Sequence, residues 1–280
     1  MWQDVRFAVR NAWKRPGVTA AVLDTGVQID HPDLKNQLWT NPADGTHGWN
    51  FVDHNANVFV SAADDTHGTH VAGIIGAQQN NGVGVAGVAP NARIMALKFI
   101  GPNNSGWNTD AISGIQYAVN HGAKIINASF GGPAYDPALC DAIAWAASRG
   151  TLFVAAAGND GRNLDGADAW PAKCPEPSMI TVGAFTQAGQ MASFSNTSTT
   201  YVDVAAPGEW IVSTTPGGYG YMSGTSMATP FVAGVAAEVL GKSPQLTPTQ
   251  LRQRILDGAT VSAGISAAVS GGRRLNMAGA

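Results

Sequence analysis

Three short stretches of the sequence hold an aspartate, a histidine and a serine that could take part in one reaction. Asp24 lies in the apolar run AVLDTGV, His67 lies in DDTHGTHVAG, and Ser226 lies in GTSMATP. A serine hydroxyl is a weak nucleophile near neutral pH. It reacts when a histidine within hydrogen-bond reach removes its proton and a buried carboxylate holds the imidazole in the right tautomer. Ser226 is therefore a candidate nucleophile, His67 a candidate general base and Asp24 a candidate orienting carboxylate.

Each of these residues, taken singly, also has a structural explanation. An aspartate after a strand is usually a turn residue or a helix cap, and a histidine that opens a helix is more often structural. A serine at a helix start is normally an N-cap. His67 and His70 are one helical turn apart and could share a helix face, so the pattern alone does not say which of them does chemistry.

The elements that would position these residues alternate between strands and helices. Apolar runs predict strands at 19–26, 92–100, 123–132, 151–159 and 178–185. Periodic segments predict helices at 69–77, 109–122, 137–150, 225–241 and 247–259. This alternation predicts an α/β fold of three layers, with a mostly parallel central sheet and helices on both faces. Functional sites of such sheets lie beyond the carboxyl ends of the strands.

The remaining composition limits the classes of function. Hydrophobic residues make up 45% of the 280 residues and charged residues 12%, which indicates a globular chain with a large core. The 16 Lys and Arg are scattered and the net charge is −3, so we expect no nucleic-acid partner. No apolar run reaches the ~18 residues of a membrane span.

The N-terminal residues predict a short surface helix rather than a targeting segment. They lack the uninterrupted apolar core of a signal peptide, and no propeptide is recognised. A helical stripe is formed by Val5, Ala8, Val9, Ala12 and Trp13.

The segments AVLDTGV, HGTHVAG and GTSMATP, in the order Asp, His, Ser, resemble the signature segments of subtilisin-like serine proteases, the subtilases. The resemblance is clearest over residues 12–258 and includes HPDL (31–34), GVGVAGVAP (82–90), INASFGGP (126–133), AAAGNDG (155–161) and DVAAPG (203–208). It implies a single peptidase domain over residues 1–280, a monomer that cleaves protein or peptide substrates. In the family motif the first histidine is the general base, which corresponds to His67. His70 is then expected to pack or to bond to a loop.

The resemblance also implies how the substrate is held. Asn159, in AAAGND, is expected to donate its side-chain amide to the oxyanion, with the backbone N–H of Ser226 as the second donor. Peptides are expected to add as strands against two segments, Ser105, Gly106, Trp107 and Ser129, Phe130, Gly131.

The expected primary specificity pocket has uncharged walls. They are formed by the second of these segments together with Ala156, Ala157 and Gly158, and Ala169 lies near the base. Asp168 is adjacent and is expected to face solvent. We therefore expect broad specificity with a preference for large uncharged P1 residues.

A structural Ca²⁺ is implied in the same way, since calcium takes six to eight oxygen ligands. The expected ligands are the Asp33 carboxylate, the Asn81 side chain and the backbone oxygens of Gln79, Val83 and Val85, and Gln3 is the candidate for a remaining position. A weaker second site, or alternatively a solvated acidic loop, is formed by Asp53, Asn55, Asn57, Asp64 and Asp65.

The sequence leaves open whether the two cysteines are bonded to each other. Cys140 and Cys174 could form one disulfide or remain as two buried thiols, and an exported enzyme would favour the disulfide. We expect an extracellular or secreted location.

A peptide ligase on the same fold would need an added element that shields the intermediate from water. A non-catalytic binding module would be expected to lack one of Asp24, His67, Ser226 or Asn159, and all four are present.

Overall fold

A nine-stranded sheet forms the centre of the structure, a computed structural model that describes residues 17–280. The predicted N-terminal helix and Gln3 lie outside the described residues. The strands are β1 (Thr19–Asp24), β2 (Gly48–Asn50), β3 (Arg93–Lys98), β4 (Ile125–Ala128), β5 (Leu152–Ala156), β6 (Ile180–Phe185), β7 (Val204–Pro207), β10 (Thr260–Val261) and β11 (Arg273–Arg274). Their order is β10-β11-β7-β6-β5-β4-β1-β3-β2, and all neighbours are parallel except β10 and β11. Strands β8 (Ile211–Thr215) and β9 (Gly218–Met222) form a separate antiparallel hairpin.

Within residues 17–280, five α-helices cover the two faces of the sheet. They are α1 (Thr66–Gly76), α2 (Asn108–Asn120), α3 (Pro137–Ser148), α4 (Thr225–Lys242) and α5 (Pro248–Asp257). Alternate residues of each strand point to opposite faces. In β1, Ala20 and Val22 pack in the core with α1, α4 and α5, whereas Ala21 and Leu23 pack in the core with α2 and α3. Because both faces are buried, the strands are continuous apolar runs. The predicted fold class is confirmed.

The observed elements differ from the predicted ones mainly at their ends. The central strands are shorter than predicted because each apolar run continues into the turn that follows the strand; 123–132, for example, contains only the four residues of β4. Helix α1 begins at Thr66, three residues before the predicted start, so His67 lies in its first turn. The short edge strands and the hairpin were not predicted. The hairpin is rich in glycine, which is depleted in strands.

Cys140 and Cys174 form a disulfide, which settles the alternative left open by the sequence. The bond joins α3 to the loop that precedes β6. Within residues 17–280, no helix has both the length and the apolar character needed to span a membrane.

Candidate active site

Four adjacent strands bring the candidate residues to one edge of the sheet. In the order β3-β1-β4-β5, Asp24 ends β1, Ser129 follows β4 and Asn159 lies just beyond β5. Because these strands are parallel, their carboxyl ends lie along the same edge. Helix α4 starts at Thr225 and brings Ser226 to this edge.

Asp24 and His67 form a close hydrogen-bonded pair. The Nδ1 atom of His67 lies 2.7 Å from Oδ1 of the fully buried Asp24, and the backbone N–H of Thr25 donates to the same oxygen over 2.7 Å. Burial lowers the pKa of His67, but the charge of Asp24 and its hydrogen bond outweigh that effect, so the pKa lies above its ordinary value. This pairing places a proton on Nδ1 and leaves Nε2 available as a base.

Ser226 is anchored by Ser129, and a proline explains why. Pro230 lies four residues after Ser226 inside α4 and has no N–H to donate to the Ser226 carbonyl. The Ser129 hydroxyl donates to that carbonyl instead, over 2.8 Å. In return, the Ser226 hydroxyl donates to the Ser129 carbonyl over 3.1 Å. The hydroxyl therefore points to Ser129 and not to His67. Hydrogen bonds between catalytic groups often form only when substrate is present.

Asn159 is held by the first residue of α4. Its Oδ1 accepts from the backbone N–H of Thr225 over 2.8 Å and from the Thr225 hydroxyl over 2.9 Å. The preceding residue, Gly158, donates its backbone N–H to the Thr225 hydroxyl over 3.2 Å. Its φ is +98°, and a Cβ there would lie 2.5 Å from Nδ2 of Asn196.

Two N–H donors remain free beside Ser226. Among residues 17–280, neither Nδ2 of Asn159 nor the backbone N–H of Ser226 makes a hydrogen bond. Both nitrogens border the same space next to Gly224, since a Cβ on that residue would lie 3.4 Å from Nδ2 and 3.6 Å from the Ser226 nitrogen. An anion in this space could accept from both.

A cavity of about 400 Å³ opens beside Ser226. It is lined by most of the residues expected for the specificity pocket: Phe130, Gly131, Ala156, Ala157, Gly158 and Ala169. Ser129 does not line it. Asp168 does, but its side chain is 63% exposed and its Oδ1 is 3.2 Å from the Lys173 ammonium. Asp160 and Arg162 also line the cavity and were not named from the sequence.

The other expected substrate segment lies on the far side of β1. Ser105, Gly106 and Trp107 follow β3 and do not line the cavity; Trp107 is 79% exposed. Since β1 lies between β3 and β4 in the sheet, the two segments flank the strand end that carries Asp24.

His70 has a structural role, as predicted. It is fully buried, and its Nε2 lies 3.1 Å from the carbonyl oxygens of both Ile211 and Gly220 in the hairpin. Burial lowers its pKa, more than the two hydrogen bonds raise it. The residue therefore joins helix α1 to the hairpin that leads into Ser226.

The region expected to bind calcium is organised around Asp33. This carboxylate is fully buried and faces the predicted loop. The Asn81 amide donates to its Oδ1 over 2.5 Å, and the backbone N–H of Val85 donates to its Oδ2 over 3.0 Å. The Asn81 Oδ1 accepts from the backbone N–H of Val83 over 3.2 Å, and Gln79 lies on the same loop. The Asp33 carboxylate and the Asn81 amide oxygen are ligand types that calcium takes, and the contacts seen at both are with N–H groups of the loop.

The weaker second calcium site is not supported, and Asp65 is wrong as a ligand. The carboxylate of Asp65 is already bonded to the ammonium of the buried Lys98 over 2.7 Å. Asp53, Asn55 and Asn57 make hydrogen bonds within their own loop, and Asp64 accepts from Ser61. In the described part of the chain, no group of three or more His, Cys, Asp or Glu side chains is placed to hold a metal ion.

Lys98 itself was not noticed in the sequence. The signal for it is a lysine that directly follows the apolar segment IMAL of β3. A lysine is almost never fully buried unless it is paired, so this position implies a buried acidic partner.

Comparison with known proteins gives one consistent family. The model of the subtilase family matches residues 15–276. The chain is 42% identical to subtilisin of Bacillus pumilus over 87% of this chain and 84% of that protein. It is also 42% identical to the major intracellular serine protease of Bacillus subtilis, over 80% of this chain and 68% of that protein. The chain spans 60% of the length of several other curated subtilisins.

A solved structure agrees with this likeness. The crystal structure of a cold adapted subtilisin-like serine proteinase matches with a TM-score of 0.81 and 35% identity, over 93% of this chain and 89% of that chain.

Proposed function

The chain belongs to the subtilase family and is a subtilisin-like serine endopeptidase. From that premise we propose that Ser226 is its nucleophile, His67 its general base and Asp24 the carboxylate that orients His67. The observation that carries the proposal is the 2.7 Å bond between Nδ1 of His67 and buried Asp24, at the sheet edge where Ser226 is anchored. This bond fixes the tautomer that a general base requires.

The first half of the reaction follows from these positions. The Ser226 hydroxyl turns from Ser129 to His67 and attacks the carbonyl carbon of the scissile bond, while its proton passes to Nε2 of His67. The negative charge of Asp24 stabilises the imidazolium that results. His67 then gives the proton to the departing amine, which leaves an acyl-enzyme on Ser226. Water attacks this ester with His67 again as the base and releases the second product.

The two free donors beside Gly224 provide the oxyanion site. Attack by Ser226 places a negative charge on the former carbonyl oxygen. Nδ2 of Asn159 and the backbone N–H of Ser226 would both donate to it. Because Thr225 already holds Oδ1 of Asn159, the amide is oriented before substrate arrives. Such preorganisation means that little reorganisation is needed during the reaction.

The P1 specificity follows from the cavity beside Ser226. Most of its lining residues are uncharged, and Asp160 and Arg162, which also line it, carry opposite charges. This lining favours large uncharged side chains such as Phe, Leu, Tyr or Met, with broad tolerance at other positions. The charge of Asp168 is offset by Lys173 and exposed to solvent. A peptide library should show the strongest cleavage after these residues. Strongest cleavage after Arg or Asp would contradict this assignment.

The nucleophile is tested by a matched pair of serine variants. Hydrolysis of a chromogenic peptide should be abolished in Ser226→Ala. Ser223→Ala removes a hydroxyl three residues away whose one hydrogen bond among residues 17–280 comes from the backbone N–H of Trp210, and should stay active. Retained hydrolysis in purified Ser226→Ala would overturn the assignment.

Calcium binding is the second part of the proposal. Asp33, the Asn81 side chain and the backbone oxygens of Gln79, Val83 and Val85 would hold one structural ion. The support is the buried Asp33 carboxylate, which faces the loop from Gln79 to Val85. The ion would take no part in the reaction. It would stabilise the folded protein because it binds the folded chain and not the unfolded chain.

The remaining features concern the setting of the enzyme. One peptidase domain is consistent with the single central sheet of the described residues, and we propose that it acts as a monomer. The Cys140–Cys174 disulfide favours an oxidising compartment and therefore an extracellular location. Titration of the unfolded, unreduced protein should find no free thiol.

A further inference from the structure

Lys98 and Asp65 form an ion pair inside the protein, next to the candidate active site. Lys98 is 2% exposed and Asp65 is fully buried. The Lys98 ammonium donates to Oδ1 of Asp65 over 2.7 Å, to the carbonyl of Ile100 over 3.1 Å and to the carbonyl of Thr25. An ammonium has three protons, so every donor of this buried charge is used.

The ion pair contacts the chain segments that carry Asp24 and His67. Thr25 follows Asp24 and donates its backbone N–H to that carboxylate over 2.7 Å. The Thr25 hydroxyl accepts from the backbone N–H of Gly68, the residue after His67, over 3.0 Å. Asp65 directly precedes the helix that carries His67. Lys98 therefore holds Thr25, the residue after Asp24, and Asp65, which lies two residues before His67.

The backbone is shaped to let these segments approach. Gly26, two residues after Asp24, has a φ of +121°, and a Cβ there would lie only 2.6 Å from Oδ1 of Asp65. The other carboxylate oxygen of Asp65 accepts from the backbone N–H groups of Val60, over 2.5 Å, and Ser61, over 3.0 Å. Asp65 is thus fixed on both sides, against the Asp24 turn and against the loop that precedes α1.

Stability alone is a weak reason for such a pair. Removing two charges from water is costly, and well-packed apolar side chains often stabilise a fold as well or better. The geometry points to another role, which rests on the proposed function. We infer that Lys98 and Asp65 are positioning residues that set the distance between Asp24 and His67 by tying the β1 turn to the start of α1.

The test compares two ion pairs by steady-state kinetics. Lys98→Met/Asp65→Asn removes both charges, so that neither is left buried alone. The control is Asp203→Asn/Arg252→Met, which removes a half-buried ion pair of 2.5 Å that joins α5 to the residue before β7. Each variant is assayed on a short chromogenic peptide, with kcat expressed per active site titrated by a fluorophosphonate.

The expected result is a split between kcat and KM. In the Lys98/Asp65 double variant, kcat should fall roughly tenfold to a hundredfold, because small misplacements of catalytic groups are costly, while KM changes by less than about twofold. The control should keep its kcat even where its melting temperature falls. Wild-type kcat in the Lys98/Asp65 variant, or an equal loss in the control, would overturn the inference.

A second variant decides the question if the double variant does not fold. Asp65→Glu keeps both charges but moves the carboxylate by one methylene, and should also lower kcat; wild-type kcat in a folded Asp65→Glu would then overturn the inference. Failure of the proposed function is seen separately, since the fluorophosphonate would then label Ser226→Ala.

Discussion

Two of the fully buried aspartates are held differently: Asp24 at the carboxyl edge of the sheet, and Asp33 against the loop that contains Asn81 and Val85. Asp24 ends a central strand and accepts from His67 and from Thr25 in the adjacent turn. Asp33 lies outside any strand, and its oxygens accept from Asn81 and Val85 on a stretch without helix or strand between Gly76 and Arg93. The geometry of Asp24 therefore comes from the sheet, whereas Asp33 is held by the loop, which we propose is stabilised by a calcium ion. Changes at the two aspartates should have separable effects.

The largest effect is expected from Asp24→Asn, which removes the charge but keeps the size of the side chain. The proposed base must be neutral to act, so kcat/KM is lost as the pH falls through the pKa of His67, which Asp24 holds above the ordinary value. Without that charge, burial dominates and the pKa falls, so the acid limb should move to lower pH. The plateau should drop by about four orders of magnitude, as for the same change in another serine protease triad. A pH profile of kcat/KM with an unmoved acid limb would contradict the pairing.

A smaller loss is expected at the oxyanion site. Asn159→Asp keeps an oxygen for Thr225, removes the Nδ2 donor and places a negative charge beside the developing oxyanion. We expect kcat to fall by at least about two to three orders of magnitude, the loss known for removal of the corresponding donor in subtilisin, with little change in KM. Asn163→Asp, in the loop that follows, is the control and should keep its kcat. Wild-type turnover in Asn159→Asp would remove this residue from the oxyanion site.

The smallest effect on catalysis is expected at Asp33. Chelation should lower the melting temperature by roughly 5–10 °C, the shift expected for a ligand present at about 100 times its Kd. Asp33→Asn should reproduce most of this loss, while kcat at low temperature stays unchanged. Asp53→Asn, on an exposed loop, is the matched control. Equal melting temperatures in excess EDTA and in millimolar calcium would rule out the proposed ion, and a lower kcat in Asp33→Asn would break the separation between the two regions.

Residues that are placed by the central sheet could be predicted from the sequence. Apolar runs gave β1, β3, β4, β5 and β6, because a strand buried on both faces requires them. Asp24 and Asn159 could then be placed at the sheet edge, since they lie near the carboxyl ends of predicted strands. The Cys140–Cys174 bond stayed open, because spacing along the chain does not give distance in space.

Residues that act through distant partners were harder to recognise. Lys98 and Asp65 are 33 positions apart and meet only once β3 and α1 are packed together. Asp65 looked like a metal ligand because an acidic loop resembles a cation site until its partners are known. The exchange of hydrogen bonds between Ser129 and Ser226 was not predicted either, although Pro230 indicated that the Ser226 carbonyl would lack its helical donor.

The central claim is that Ser226, activated by His67 and Asp24, forms the covalent intermediate. The most direct measurement is labelling of the protein by a fluorophosphonate probe, followed by peptide mass spectrometry to locate the adduct. We predict a single adduct on Ser226 that is absent in Ser226→Ala and in His67→Ala. An adduct on any other residue of the wild-type protein, or labelling that persists in Ser226→Ala, would contradict the account.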